Sequence, residues 1–160
     1  MKLFYRVFLL LLLFFSVTAV GRTEMKARCL NDAGQLVLCH LGLDPQVFRW
    51  RFKNQNIWQH ASLAHVNRVV RINPDQSQPG VIAWEVDNDY LPEPSKKPQE
   101  PNKAYIPIPL SSDSKVFYSL TYADTAGVKK WLYLGVSSSD SSVLESYLES
   151  MTGRVIEVRK

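Results

Sequence analysis

Glycine is scarce in this chain, with 7 among 160 residues. Loops that cradle phosphates on bare backbone N–H groups use several glycines close together, so a nucleotide-binding loop is not expected. Histidine is scarcer, with 3 in all, at positions 40, 60 and 65. His60 and His65 stand about 140° apart on a helix and on opposite faces of a strand. His40 adjoins Cys39, and neighbours in a strand point apart. No preorganised metal pair results, and neither a metal nor a cofactor is expected. The G-x-S-x-G and H-E-x-x-H motifs are missing, as is any internal repeat. One short match to a catalytic pattern exists, S-x-x-K at Ser112-Asp113-Ser114-Lys115. That chemistry needs the serine at a helix start with the lysine one turn on, whereas this stretch leads into a strand-like run and lacks the S-D-N and K-T-G partners. A Ser/Asp-rich turn is the simpler reading, a small hydrolase the weakest functional one, and no catalytic residue is assigned. Charge of one sign never gathers into a block: 19 Lys+Arg face 15 Asp+Glu for a net +4. A nucleic-acid partner is therefore not expected.

What the chain does have begins at its start. Lys2 and Arg6 precede a nearly unbroken apolar run from Val7 to Val20, followed by small residues with Ala19 and Gly21 two apart. This is the layout of a secretory signal peptide cut after Gly21, or after Ala19. A retained anchor is the alternative, but spanning takes about 20 apolar residues. With residues 1–21 removed, 160 minus 21 leaves 139 residues for one domain, 22–160. Such a domain buries roughly two thirds of the surface of its unfolded chain. Both leader cations are lost and no acid is, so the mature balance is 17 against 15, or +2. The expected location is periplasmic or secreted.

Export makes the two cysteines, Cys29 and Cys39, a disulfide rather than a redox or metal pair. Asn31-Asp32-Ala33-Gly34 between them is turn chemistry, and a hairpin turning there brings them opposite one another. Closing the 11-residue loop stabilises by roughly 2–3 kcal/mol in the chain-entropy picture. Residues 22–26 are polar and read as a frayed end. The hairpin strands fall at about 27–31 and 36–42. Val47 to Lys53 alternates cleanly, with Phe48, Trp50 and Phe52 on one face and Val47, Arg49 and Arg51 on the other. Ile57-Trp58 restarts an apolar segment. A helical turn over 61–65 and a strand over 67–72 follow, then an alternating strand over 81–86.

Prolines at 92, 94, 98, 101, 107 and 109, mixed with charges, make 88–109 a long extended loop in this reading. Lys115–Tyr122 and Val128–Val136 form a hairpin turning at Asp124-Thr125-Ala126-Gly127. Ser142 and Glu145 read as a capping box. Leu144, Tyr147, Leu148 and Met151 form an amphipathic stripe, Gly153 sits at the C-terminal cap, and Val155–Val158 adds a short strand. The fold class is α+β: a mainly antiparallel sheet or small barrel with one C-terminal helix, with a pleckstrin-homology-like layout as a fold analogy only.

Alternation sets Arg49, Arg51 and Lys53 on one strand face, and Arg68 and Arg71 are candidates to extend that stripe. A cationic stripe meets an acidic partner, an anionic lipid or a glycan; a solvated outer face over an aromatic core face is the plainer alternative. The proline-rich segment loses little order on binding and suits a partner's groove or sheet edge. The resulting expectation is an exported, non-enzymatic binding or assembly module acting through contacts with another envelope or secreted protein. An envelope lipid or glycan binder comes second.

Overall fold

Two tight turns set the frame, and both use the same chemistry. The Asn31 side-chain oxygen accepts from the N–H groups of Ala33 and Gln35 at 3.0 and 2.9 Å. That of Asp124 accepts from Ala126 and Val128, both at 2.9 Å. Each turn closes on a glycine with positive φ, Gly34 at 76° and Gly127 at 78°, a conformation that side chains disfavour. In this computed structural model, which describes residues 23–74, 79–85, 96–97 and 100–159, the turns join β1 (Thr23–Leu30) to β2 (Leu36–Leu43) and β9 (Val116–Ala123) to β10 (Lys129–Val136). The expected leader lies outside the described residues, as do 88–95 and 98–99 of the proline-rich segment.

Between the two hairpins come β3 (Val47–Phe52), β4 (Gln59–Ser62), a 3-10 turn (Leu63–His65), β5 (Val66–Ile72), β6 (Val81–Glu85), β7 (Lys96–Lys97) and β8 (Glu100–Pro107). Helix α1 (Ser138–Thr152) and β11 (Glu157–Arg159) follow β10. Eight strands form one sheet in the order β11-β5-β9-β10-β1-β2-β3-β4. Every pairing in it is antiparallel except β11 on β5. The strand order runs from β11 to β4 without closing, so the small-barrel alternative is set aside. A strand after the helix also departs from the pleckstrin-homology-like layout.

Period-two alternation divides the sheet's side chains. The inner face carries the main core: Met25, Leu41, Phe48, Trp50, Val69, Tyr118, Leu120 and Leu134, closed by Leu144 and Leu148 of α1. The outer face carries a second cluster at one end, where Leu36, Phe117 and Tyr133 meet Ile82 and Ile106 from a three-stranded sheet, β6-β8-β7.

Three local expectations need correction. Of the stretch 22–26 expected to fray, residues 23–26 are strand, because β1 pairs with β2 from Thr23↔Leu43 onward; Met25, Ala27 and Cys29 are all buried, an alternation hidden by the charged residues between them. The stretch 88–109 is not loop throughout. β8 pairs with β6 from Lys103↔Glu85 to Pro107↔Val81. Pro101 and Pro107 bracket five proline-free residues whose N–H groups remain available, and Ile106 is fully buried. Helix α1 is capped by Ser137, not Ser142: the Ser137 hydroxyl accepts from the Asp140 N–H at 3.3 Å and donates to the Asp140 carboxylate at 2.9 Å. In a run so rich in serine, the residue just past β10 does the capping. Gly153 does end the helix, with φ 66° and its N–H on the Glu149 carbonyl at 2.9 Å.

The disulfide joins Cys29 to Cys39, Cα atoms 5.9 Å apart. Both cysteines are buried in the main core, so the bridge is a structural staple between neighbouring strands. That is the pairing expected of a chain that matures in an oxidising compartment.

Candidate functional site

Where the second core cluster ends, the outer face of β1, β2 and β3 continues as a polar surface. Register sets its side chains in rows. Lys26, His40 and Arg51 lie opposite one another across β1, β2 and β3, and Glu24, Gly42, Arg49 and His60 form the next row, reaching β4. Lys26 and His60 are exposed, and His40, Arg49 and Arg51 half-buried. Opposed to the buried Phe48 and Trp50, these residues are where the β3 alternation was expected to put its cations.

Trp58 was not singled out as a site residue, and it organises the face. The Arg49 guanidinium carbon lies 4.7 Å and that of Arg51 5.0 Å from its ring centroid. Such contacts contribute about 0.5–1 kcal/mol each at an exposed site. The β3–β4 register runs Arg49↔His60 and Trp50↔Gln59, so one step further sets Trp58 against Arg51. Only that cross-strand pairing could have revealed it; in sequence the ring reads as one more apolar residue after a turn.

The two arginines differ in their remaining contacts. Arg49 donates from Nε to the Asp44 carboxylate, and the Asp44 carbonyl accepts from the Tyr147 hydroxyl of α1 at 2.6 Å. One end of the face is thereby tied to the helix. Gly42 makes room for this arrangement: a Cβ there would stand 3.1 Å from Arg49 Nη2. Arg51 has a buried Nε with no acceptor among the described residues, and its guanidinium rests on the Trp58 ring. Lys53 is exposed just past β3, with its backbone N–H on the Leu38 carbonyl at 3.0 Å. Leu38, 40% exposed, and Ile57, 77% exposed, bring apolar surface to this region.

Arg68 and Arg71 are not brought to this face. Both are on β5, separated from β3 in the sheet by β9, β10, β1 and β2. Arg68 forms a fork with Glu157 of β11, Nε at 2.8 Å and Nη2 at 2.5 Å, which raises the guanidinium pKa and lowers that of the carboxylate. Arg71 donates to Glu145 at 3.1 Å, and the Tyr118 hydroxyl donates to the same oxygen at 2.6 Å. Burial, and then the Glu145 charge, push the Tyr118 hydroxyl well above the ordinary phenol range. These two contacts on Glu145 tie α1 to β5 and β9.

Ser112 is engaged in a turn, its hydroxyl accepting from the Ser114 N–H at 3.1 Å, and Lys115 donates its backbone N–H to Val136 at 2.8 Å as β9 begins. This is strand-entry geometry, without the helical turn that S-x-x-K chemistry uses. Among the described residues, no three His, Cys, Asp or Glu side chains gather into a metal-binding group, and no helix is long and apolar enough to cross a membrane. The chain matches no protein-family model and no curated protein.

Proposed function

We propose that the protein is an exported binding module, not an enzyme, whose outer face at β1–β4 engages an acidic surface on another envelope or secreted protein. The observation that carries this reading is the pair Arg49 and Arg51 converging on Trp58 beside the exposed Leu38 and Ile57. Tryptophan and arginine are the residues most concentrated at binding hot spots, because each combines a large apolar area with a directed donor set. A half-buried stacked arginine is already partly desolvated and loses little freedom on docking. The carboxylates of the face, Glu24 and the Arg49-bound Asp44, leave it net positive with Lys26, Arg51 and Lys53. Residues 1–21 serve as the cleaved leader, and the buried disulfide supports an oxidising destination.

The test is affinity purification of the full-length chain from its native envelope, with intact mass reporting leader cleavage and the disulfide. Wild type, Arg51→Glu and Trp58→Ala are compared. A partner retained by wild type and lost from both variants, each still folded at the assay temperature, supports the reading; equal recovery by all three overturns it. Anionic vesicles and acidic glycans at low salt form a separate arm, where screening is weakest. Binding there that Arg51→Glu abolishes, without a protein partner, replaces a protein surface with an anionic envelope surface as the target.

A further inference from the structure

We propose that Arg28 anchors an oxyanion site beneath the Ser111–Ser114 loop, taking a carboxylate or phosphate group as ligand. Arg28 is on the outer face of β1, opposite Gly135 of β10 and Leu38 of β2. It is 9% exposed. A guanidinium carries five N–H donors, and a buried one needs a counter-charge to offset the loss of water. Among the described residues Arg28 meets no carboxylate. Nη1 reaches the Leu36 carbonyl at 3.3 Å and Nη2 the Ser111 hydroxyl at 3.4 Å, both beyond the usual length of such bonds. Its Nε is buried with no acceptor among the described residues.

Arg68 shows what a satisfied arginine looks like in this same protein: Nε and Nη2, the two donors along one edge, grip the two oxygens of Glu157. At Arg28 that edge has an idle Nε and an Nη2 held only by a long bond to a serine. An oxyanion replacing the Ser111 hydroxyl would satisfy both donors at once, the bidentate geometry for which arginine is suited. The loop above sits close. Bare Gly135 lets it lie flat, since a Cβ there would stand 3.1 Å from Ser114 Cβ and 2.6 Å from the Phe117 ring. Its outer side is free, with Leu110 and Ser111 exposed. Lys26, exposed two residues back along the same strand face, draws anions to the entrance.

The test is thermal melting of the oxidised protein in sodium phosphate, sodium acetate and sodium chloride at matched ionic strength, together with the Arg28 Nε–H NMR resonance. Phosphate or acetate should raise the Tm over chloride, by roughly 5–10 °C at a hundredfold excess over its Kd, and should shift the Nε–H resonance saturably. Whichever anion acts names the source of the oxyanion. Arg28→Met should abolish the Tm response and melt in chloride no lower than wild type, because an unpaired buried charge has been removed. Arg51→Glu should keep the response, which separates this site from the β1–β4 face. Equal Tm in all three salts with an unmoved Nε–H resonance overturns the proposal. So does an anion response that survives in Arg28→Met. Should Arg28→Met fail to fold, the wild-type resonance titration decides alone.

Discussion

On the inner face of the eight-stranded sheet, Leu144 and Leu148 of α1 are fully buried against Phe48, Tyr118 and Leu120, and the charged group drawn in, Glu145, is matched by Arg71 and Tyr118. On the outer face, the same strands carry Lys26 exposed, Arg51 resting on an aromatic ring, and Arg28 buried without a carboxylate. On the inner face apolar area is covered and Glu145 holds two donors, although Arg71 Nε is buried with no acceptor among the described residues. Among the described residues, the outer face keeps cations, Lys26, Arg28 and Arg51, that no carboxylate pairs. An imbalance of this kind costs stability, and it is larger on the outer side, where the binding surface is proposed.

The comparison breaks first at the core. Leu148→Ala should cost about 2–5 kcal/mol by urea denaturation, whereas Trp58→Ala should cost about 1–2 kcal/mol, the sum of its two arginine contacts. A Trp58→Ala loss as large as that of Leu148→Ala would make the outer face a second core rather than a binding surface.

Replacing Cys29 and Cys39 together by serine should lower stability by roughly 2–3 kcal/mol. The cost should appear as a lower midpoint, with partner recovery unchanged below the transition, since the bridge is buried on the inner side.

The two strand glycines sharpen the contrast. Gly135→Ala should cost about 1–3 kcal/mol, because the new Cβ would meet the fully buried Phe117 ring. Gly42→Ala should cost less, because the atoms it meets are the far end of Arg49, and it should instead weaken partner binding by turning that guanidinium away.

The smallest effects are those of pH. The Tyr118 and Tyr147 hydroxyls are both raised above the ordinary 10.0, first by burial and then by Glu145 and Asp44 respectively. Their contribution is fully present below pH 10 and is lost as pH rises through the higher folded values. Tyr118→Phe should flatten the fall in Tm above pH 10. In acid the sign reverses. The Asp124 carboxyl is held below 3.8 by the Val128 N–H before its other partners, so its contribution is present above that value and fades as pH falls through the folded one. Half-buried at the turn, it should give only a shallow slope in a melting series from pH 5 to pH 2.

Local chemistry was legible residue by residue. Asn31 to Gly34 and Asp124 to Gly127 close hairpins because one side-chain oxygen and one positive-φ glycine suffice, and neither needs distant contacts. The 47–53 alternation separated Phe48 and Trp50 from Arg49 and Arg51 for the same reason. Reading failed where a remote partner decided. Glu145 looks like a helix cap until Arg71, far away in sequence, claims it. Residues 102–106 look like proline-rich loop until β6 offers a ladder and Ile106 a place in the core. Arg68 and Arg71 look like an extension of the stripe until Glu157 and Glu145 close upon them.

The order of residues alone determined a β-rich chain with one C-terminal helix, two turns and a stapled hairpin, because turn conformation, side-chain period and short loop closure all act within a few positions. Tertiary structure alone decided which cations are neutralised and which stay available. An ion pair or a ring contact forms between atoms a few ångströms apart in space, and only the pairing of β3 with β4, β5 with β11 and the sheet with α1 sets those distances.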